Sequence, residues 1–226
     1  MVRVLVIGLV LGSALCQAEA YWVEYDPSSG LFPEECGWLR LAMGGGAQRS
    51  FEDGALVLDG LASRDIVDCY GIQQADGIDP GPGELFVVQW RLRVDTVIGA
   101  CDPAISVAAD DSRWVQLSFS ESTVRSLEEL SVSAEFEAGV YHDYEFRSAD
   151  MRSYQLLIDG GVCLSGSFVQ GLTPSAIGWG DKWHGDASLS RWQYVRFGTI
   201  PEPRTASMVT LALAMLVVTR AVDRAV

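Results

Sequence analysis

The chain has 226 residues, enough for one sizeable hydrophobic core and short for two. Thirty acidic residues against sixteen basic ones leave a formal charge of −14, a surface that repels phosphate backbones and anionic headgroups and so argues against nucleic-acid partners. Lys182 is the only lysine and asparagine is absent, which removes every N-glycosylation acceptor and every asparagine-dependent metal site.

At the N-terminus, Arg3 precedes an apolar run over 4–15 and then Gln17-Ala18-Glu19-Ala20. A basic start, a short apolar stretch and a small-residue ending predict a secretory signal peptide over 1–20, read as a signal helix, with Tyr21 opening the mature chain. Cys16 does not make a lipoprotein site, because Leu15 stands where a small residue is required. Export places the four remaining cysteines, Cys36, Cys69, Cys101 and Cys163, in an oxidising compartment, where an even count predicts two disulfides. Three pairings are open; Cys36–Cys69 with Cys101–Cys163 is the expectation. None has the spacing of a zinc knuckle or redox centre.

Residues 21–36 carry turn signals (Asp26-Pro27-Ser28-Ser29-Gly30, Phe32-Pro33) without periodicity. From Trp38 the pattern becomes that of strands. Over 84–95, Phe86, Val88, Trp90, Leu92 and Val94 alternate with Val87, Gln89, Arg91, Arg93 and Asp95, which turns one face to a core and the other to water. Further strands are predicted over 105–109 and 114–120 around a hairpin turn at Asp110-Asp111-Ser112, and around Tyr144 and Phe146. Tyr154, Leu156 and Ile158 lead into Asp159-Gly160, a hairpin step with a return strand over 162–168. Strands over 175–179 and 189–199 complete a series of ten to twelve between 55 and 199. That spacing predicts an all-β fold, one antiparallel β-sandwich over 21–200, with too many strands for an immunoglobulin domain and a number that suits a jelly roll.

Chemistry-bearing motifs are sparse. The Gly44-Gly45-Gly46 run lacks the Gly-Lys-Ser/Thr that makes a phosphate cradle, and no nucleophile elbow or metal-binding His-Glu-x-x-His helix is present. Glu135 and Glu137 would share one strand face at i, i+2, with a solvated edge as the commoner reading; His142 reads as an alternating surface residue. The densest segment is 178–186, which holds Trp179, Asp181, Trp183, His184 and Asp186 among three glycines. Aromatic faces beside carboxylates suit sugar stacking and hydroxyl recognition, and Asp181 and Asp186 are oxygen donors of the kind calcium takes. The competing reading puts Trp179 in the core and the rest in a glycine-rich loop. No catalytic residue, resident metal or cofactor is assigned.

The tail over 201–226 opens on Pro201-Glu202-Pro203, runs through 13 apolar residues over 206–218 and ends with Arg220 and Arg224. As a helix the run spans about 20 Å, short of a comfortable membrane crossing, which suits a transient anchor.

Two resemblances follow. The runs His142-Asp143-Tyr144-Glu145-Phe146 and Tyr154-Gln155-Leu156-Leu157-Ile158-Asp159-Gly160-Gly161, with the closing segment 187–197, resemble the concanavalin A-like/laminin-G superfamily of lectins and glucanases. That resemblance implies a jelly roll without settling a function; the superfamily's catalytic Glu-x-Asp-x-x-Glu is absent. Ile200-Pro201-Glu202-Pro203 followed by an apolar run and arginines resembles the PEP-CTERM sorting signal. It implies export, retention at the membrane through the C-terminal segment, and processing by exosortase-type machinery in a polysaccharide-producing bacterium. The expectation is an exported, surface-sorted, non-catalytic sandwich that binds extracellular polysaccharide, with a divergent glycoside hydrolase or lyase and a purely structural matrix protein as alternatives.

Overall fold

The computed structural model describes residues 21–62, 67–73, 78–99, 103–129, 131–171, 176–182 and 186–202. The predicted signal helix, Cys101, Trp183, His184, Pro203 and the apolar run over 206–218 lie outside the described residues. Among those described, no helix is long and apolar enough to cross a membrane.

The chain begins with β1 (Tyr21–Tyr25), two 3-10 turns (Pro27–Ser29 and Pro33–Cys36), β2 (Leu39–Met43), β3 (Gln48–Glu52), β4 (Ala55–Asp59) and β5 (Val67–Gln73). The middle holds β6 (Glu84–Ile98), β7 (Ala104–Ala108), β8 (Arg113–Phe119), β9 (Thr123–Ser126) and β10 (Ser133–Glu135). It closes with β11 (His142–Ser148), β12 (Ser153–Ile158), β13 (Gly161–Ser167), β14 (Val169–Gln170), β15 (Ala176–Asp181) and β16 (Ala187–Pro201). These strands form two antiparallel sheets. The first runs β13-β12-β11-β6-β16-β4-β3 with β1 added beside β16; the second runs β10-β9-β8-β7-β15-β5-β2 with β14 added beside β8.

The spine of the first sheet is the pair β6–β16, 15 residues each, in register from Ala187 against Ile98 to Pro201 against Glu84. Two irregularities, at Leu189/Ser190 and Trp192/Tyr194, interrupt it and give the local twist that long paired strands need. The other edge of β16 is shared by β4, at 189–192, and β1, at 195–199. Alternation explains why β6 is a strand: Phe86, Val88, Trp90 and Leu92 are wholly buried, while Gln89, Arg91 and Arg93 stand on the outer face. β1 departs from the turn reading of 21–36; Tyr25 is wholly buried and Val23 packs against the core, so two inward residues suffice once β16 is there to pair with.

Between the sheets lies one core. Trp179 is its centre, with Tyr70 at 4.8 Å, Trp192 at 5.0 Å, Tyr25 at 5.5 Å and Trp38 edge-on at 5.8 Å between ring centroids. A second aromatic group stacks Trp90 on Tyr144 at 5.3 Å with Phe119 edge-on to both. Offset and edge-on pairs of this kind add about 0.5–1.5 kcal/mol each beyond area burial. At the β12–β13 turn Asp159 and Gly160 both take positive φ, 50° and 80°, the backbone of the tight hairpin expected of Asp-Gly.

The expected disulfides are overturned: Cys36 and Cys163 carry free thiols. Cys69 alternates with the inward Tyr70 and so occupies the outer face of β5, whereas Cys36 ends a 3-10 turn at the rim. Cys163 is the extra residue of a bulge, since the register steps from Leu156 against Leu164 to Leu157 against Val162, and its thiol meets the Leu156 carbonyl at 3.3 Å.

Candidate functional site

The 178–186 segment does not assemble as one surface site. Trp179 is wholly buried among aromatic rings, which leaves no face for a ligand. Asp181, at the end of β15, is also buried and accepts a hydrogen bond from the Ser188 hydroxyl at 2.6 Å. It lies across the ladder from Asp68, itself wholly buried, which takes the Arg40 guanidinium as a fork at 2.8 and 2.6 Å and the Ala47 N–H at 3.0 Å. Asp186 is half-buried, against Gly99, where a Cβ would overlap its carboxylate. Trp183 and His184 lie outside the described residues. Among those described, no three His, Cys, Asp or Glu side chains are placed to share a metal ion.

Glu135 ends β10 and Glu137 falls beyond it; both are exposed. His142 corrects the surface expectation. It shares the inward phase of Tyr144 and Phe146 on β11 and is buried, with Nδ1 2.6 Å from Asp159 and Nε2 2.8 Å from the Glu137 carbonyl. Partial burial works against ionisation of Asp159, but the bonds from His142 and the Asp143 N–H outweigh it and hold that carboxyl below its usual range.

A more organised array lies on the outer face of the first sheet, where β11, β6 and β16 run side by side. The register sets Asp143, Arg91 and Tyr194 in one row and Glu145, Gln89 and Arg196 in the next. Arg91 donates to Asp143 at 2.7 Å and the Tyr194 hydroxyl to its other oxygen at 3.1 Å. Gln89 donates to Glu145 at 2.6 Å and accepts from Arg196 at 2.8 Å. Arg147 pairs with the remaining oxygen of Glu145. The rows extend to Arg191, which bridges Asp95 at 2.6 Å and Glu52 at 2.5 Å. Aromatic rings flank the array: Arg196 lies 5.2 Å from Trp22 and 5.4 Å from Tyr194, and Arg93 lies 5.2 Å from Tyr141, all within cation–π range.

Gln89, Asp143, Glu145, Arg147, Tyr194 and Arg196 surround a shallow groove of about 170 Å³. Arg147 also borders a second recess, of about 440 Å³, whose lining includes Tyr154, Gln155, Ser165 and Glu202. Burial, then the neighbouring Asp143 charge, push the Tyr194 hydroxyl up to about 12, so it remains a hydrogen-bond donor at neutral pH. Exposed pairs such as Arg91–Asp143, with side chains 37% and 48% exposed, contribute about 0–1 kcal/mol to stability. Around the groove the array therefore does little to hold the fold together, unlike the more buried Arg191–Asp95 pair; what it does there is fix donors, acceptors and rings in place on rigid strands. Sequence alternation marks these residues as outward, but the pairing that gathers them joins residues more than a hundred positions apart, such as Gln89 and Arg196, and no local signal announces it.

No family model and no curated protein sequence matches the chain. Solved structures do resemble it in fold. A carbohydrate esterase from the Shiga toxin-encoding bacteriophage phi24B superposes with a TM-score of 0.59 at 12% identity, over 81% of this chain and 100% of that one. Domain 4 of AbnA, an extracellular arabinanase of Geobacillus stearothermophilus solved with arabinotriose, gives 0.53 at 13% identity, over 81% and 95%. A Bacillus subtilis protein of unknown function with a galectin-like fold gives 0.52 at 12% identity, over 80% and 100%. The chain is thus similar in architecture to jelly-roll, galectin-like domains, a match of fold in agreement with the concanavalin A-like expectation.

Proposed function

We propose that the chain is an exported, surface-sorted, non-catalytic sandwich that binds an extracellular polysaccharide in the groove between Asp143, Glu145, Arg147, Tyr194 and Arg196. The observation that carries the reading is the array itself: planar donors and acceptors beside aromatic rings, held by bonds that add little to stability, are what a sugar site needs. The sugar-handling names among proteins of like fold support the ligand class. Both oxygens of Asp143 and of Glu145 are already engaged by Arg91, Tyr194, Gln89 and Arg147. That suits binding better than acid–base work, which needs one carboxyl poised to protonate a leaving group. The Pro-Glu-Pro tail supplies delivery in this reading, with exosortase-type machinery and the membrane as partners. Its first residue, Pro201, ends β16 against Glu84, and the Glu202 N–H bonds to the Gly83 carbonyl at 2.8 Å, so the tail departs directly from the sheet.

Affinity electrophoresis of the purified chain through gels holding neutral or acidic polysaccharides tests the binding. Retardation by at least one polysaccharide is expected, with Tyr194→Ala and Arg196→Ala each weakening it about tenfold, the equivalent of one lost stacking or charged contact. Retardation that Trp183→Ala removes and Tyr194→Ala leaves intact would move the site to the 178–186 loop. Release of reducing sugar from any retarding polysaccharide would replace binding with catalysis.

A further inference from the structure

We propose that the chain self-associates through β2, which pairs edge to edge with β2 of a second copy and joins the two second sheets into one. β2 ends its sheet: β5 occupies one of its edges, and among the described residues no strand pairs with the other. Edge strands are commonly blunted by an outward lysine, a proline or a bulge. β2 reads Leu-Arg-Leu-Ala-Met, with no lysine, proline or bulge; its one charge, Arg40, is neutralised by Asp68, and the strand keeps unbroken register with β5. Leu39, Leu41 and Met43 alternate along one face and are 61%, 57% and 50% exposed, half of the six exposed large apolar side chains among the described residues. Their neighbours in β5 are Gly71 beside Leu39, Cys69 beside Leu41 and Val67 beside Met43, and they leave the three side chains at least half exposed.

A second copy is the occupant that fits. With a twofold axis through Leu41, antiparallel pairing sets Leu39 opposite Met43, Arg40 opposite Ala42 and Leu41 opposite its own counterpart. Directly opposed residues share a face, so the two apolar stripes become one, and an isologous contact closes after two copies. Charge points the same way. A molecule of −14 repels itself over most of its surface, but the charge on β2 itself and one pair beside it are matched within the chain. Arg40 is forked by Asp68, and Arg49 meets Glu34 at 2.7 Å. In the twofold register Arg40 faces an alanine and no like charges oppose each other.

Sedimentation velocity of the full chain over a wide concentration range tests this. The expected result is a reversible equilibrium between a 24.5 kDa species and its dimer. Leu41→Lys, which brings two ammonium groups together on the axis, should weaken the dimer at least about tenfold and leave the near-ultraviolet signal of the buried tryptophans unchanged. Val162→Lys, an equally exposed apolar site (58%) on the opposite rim, should leave the dimer intact. In amide exchange of the unaltered chain, protection of residues 39–43 should rise with concentration. A species of monomer mass throughout, a dimer insensitive to Leu41→Lys, a dimer lost with Val162→Lys, or exchange at 39–43 independent of concentration would each overturn the proposal.

Discussion

Glu128 shows how one side chain completes a strand. Along one edge of β8, β9 pairs with Leu117, Ser118 and Phe119, and β14 with Arg113 and Trp114, which leaves a gap between them. The Glu128 carboxylate fills it, accepting the Gln116 N–H at 3.0 Å on both oxygens and the Ser126 hydroxyl at 3.2 Å. Burial, the largest influence, raises its pKa above the ordinary 4.5 despite those donors. A carboxyl whose folded pKa exceeds its unfolded one stabilises the fold most below 4.5 and loses that contribution as the pH rises through the folded value. Glu128→Gln, which keeps an acceptor and drops the charge, should therefore show a smaller fall in denaturation midpoint between acid and neutral pH than the unaltered chain. Glu128→Ala should cost about 1–3 kcal/mol in acid, because the Gln116 N–H then lacks its partner, and less at neutral pH, where the unaltered chain has lost the contribution of the neutral carboxyl. Urea titrations at several pH values would separate the two. His142 makes the same point about reading single residues: its parity with Tyr144 and Phe146 was visible, and parity outweighs the polar character that made it look like a surface residue.

At the scale of elements, the sequence is most informative where alternation is long. Phe86 to Val94 announces β6, and Asp159-Gly160 announces the β12–β13 hairpin. What it does not contain is partnership. β1 is legible only beside β16, because five residues with two inward side chains carry too little period by themselves. The cysteines mislead for a related reason: an even count says nothing of which face each occupies, and Cys69 on an outer face, Cys36 on a rim turn and Cys163 in a bulge are set by strand phase. The groove was illegible because β11, β6 and β16 meet only in the folded sheet. Of the predicted site segment, Trp179 belongs to the core, and its removal should be felt as packing. Trp179→Ala leaves Tyr25, Tyr70, Trp38 and Trp192 around a void and should lower stability by about 3–5 kcal/mol, measured by urea denaturation. Tyr194→Ala, on the outer face, should change stability far less.

For the whole molecule, acid is the predicted weakness. Asp95 is partly buried, which opposes ionisation, yet bonds from Arg93 and Arg191 hold it below the ordinary 3.8. Burial opposes ionisation of Asp159 as well, but His142 holds it below the same value; its side chain is 54% exposed, so solvent screens the pairing and it contributes less. Such carboxyls contribute stability above 3.8 that disappears as the pH falls through their folded values. Midpoints of urea denaturation should drop steeply below that pH, and Asp95→Asn should flatten the drop. The arrangement of β16 has a mechanical consequence as well. Tyr194 and Arg196 project from the same strand whose far end, at Pro201 and Glu202, leads into the tail. A load applied at the groove and held beyond residue 202 runs lengthwise along β16, flanked over 195–199 by β6 on one side and β1 on the other. Pulled in that direction the bonds on both flanks share the strain and must yield together, whereas peeling the strand sideways would break them one after another; the sheet meets tension along its strongest axis.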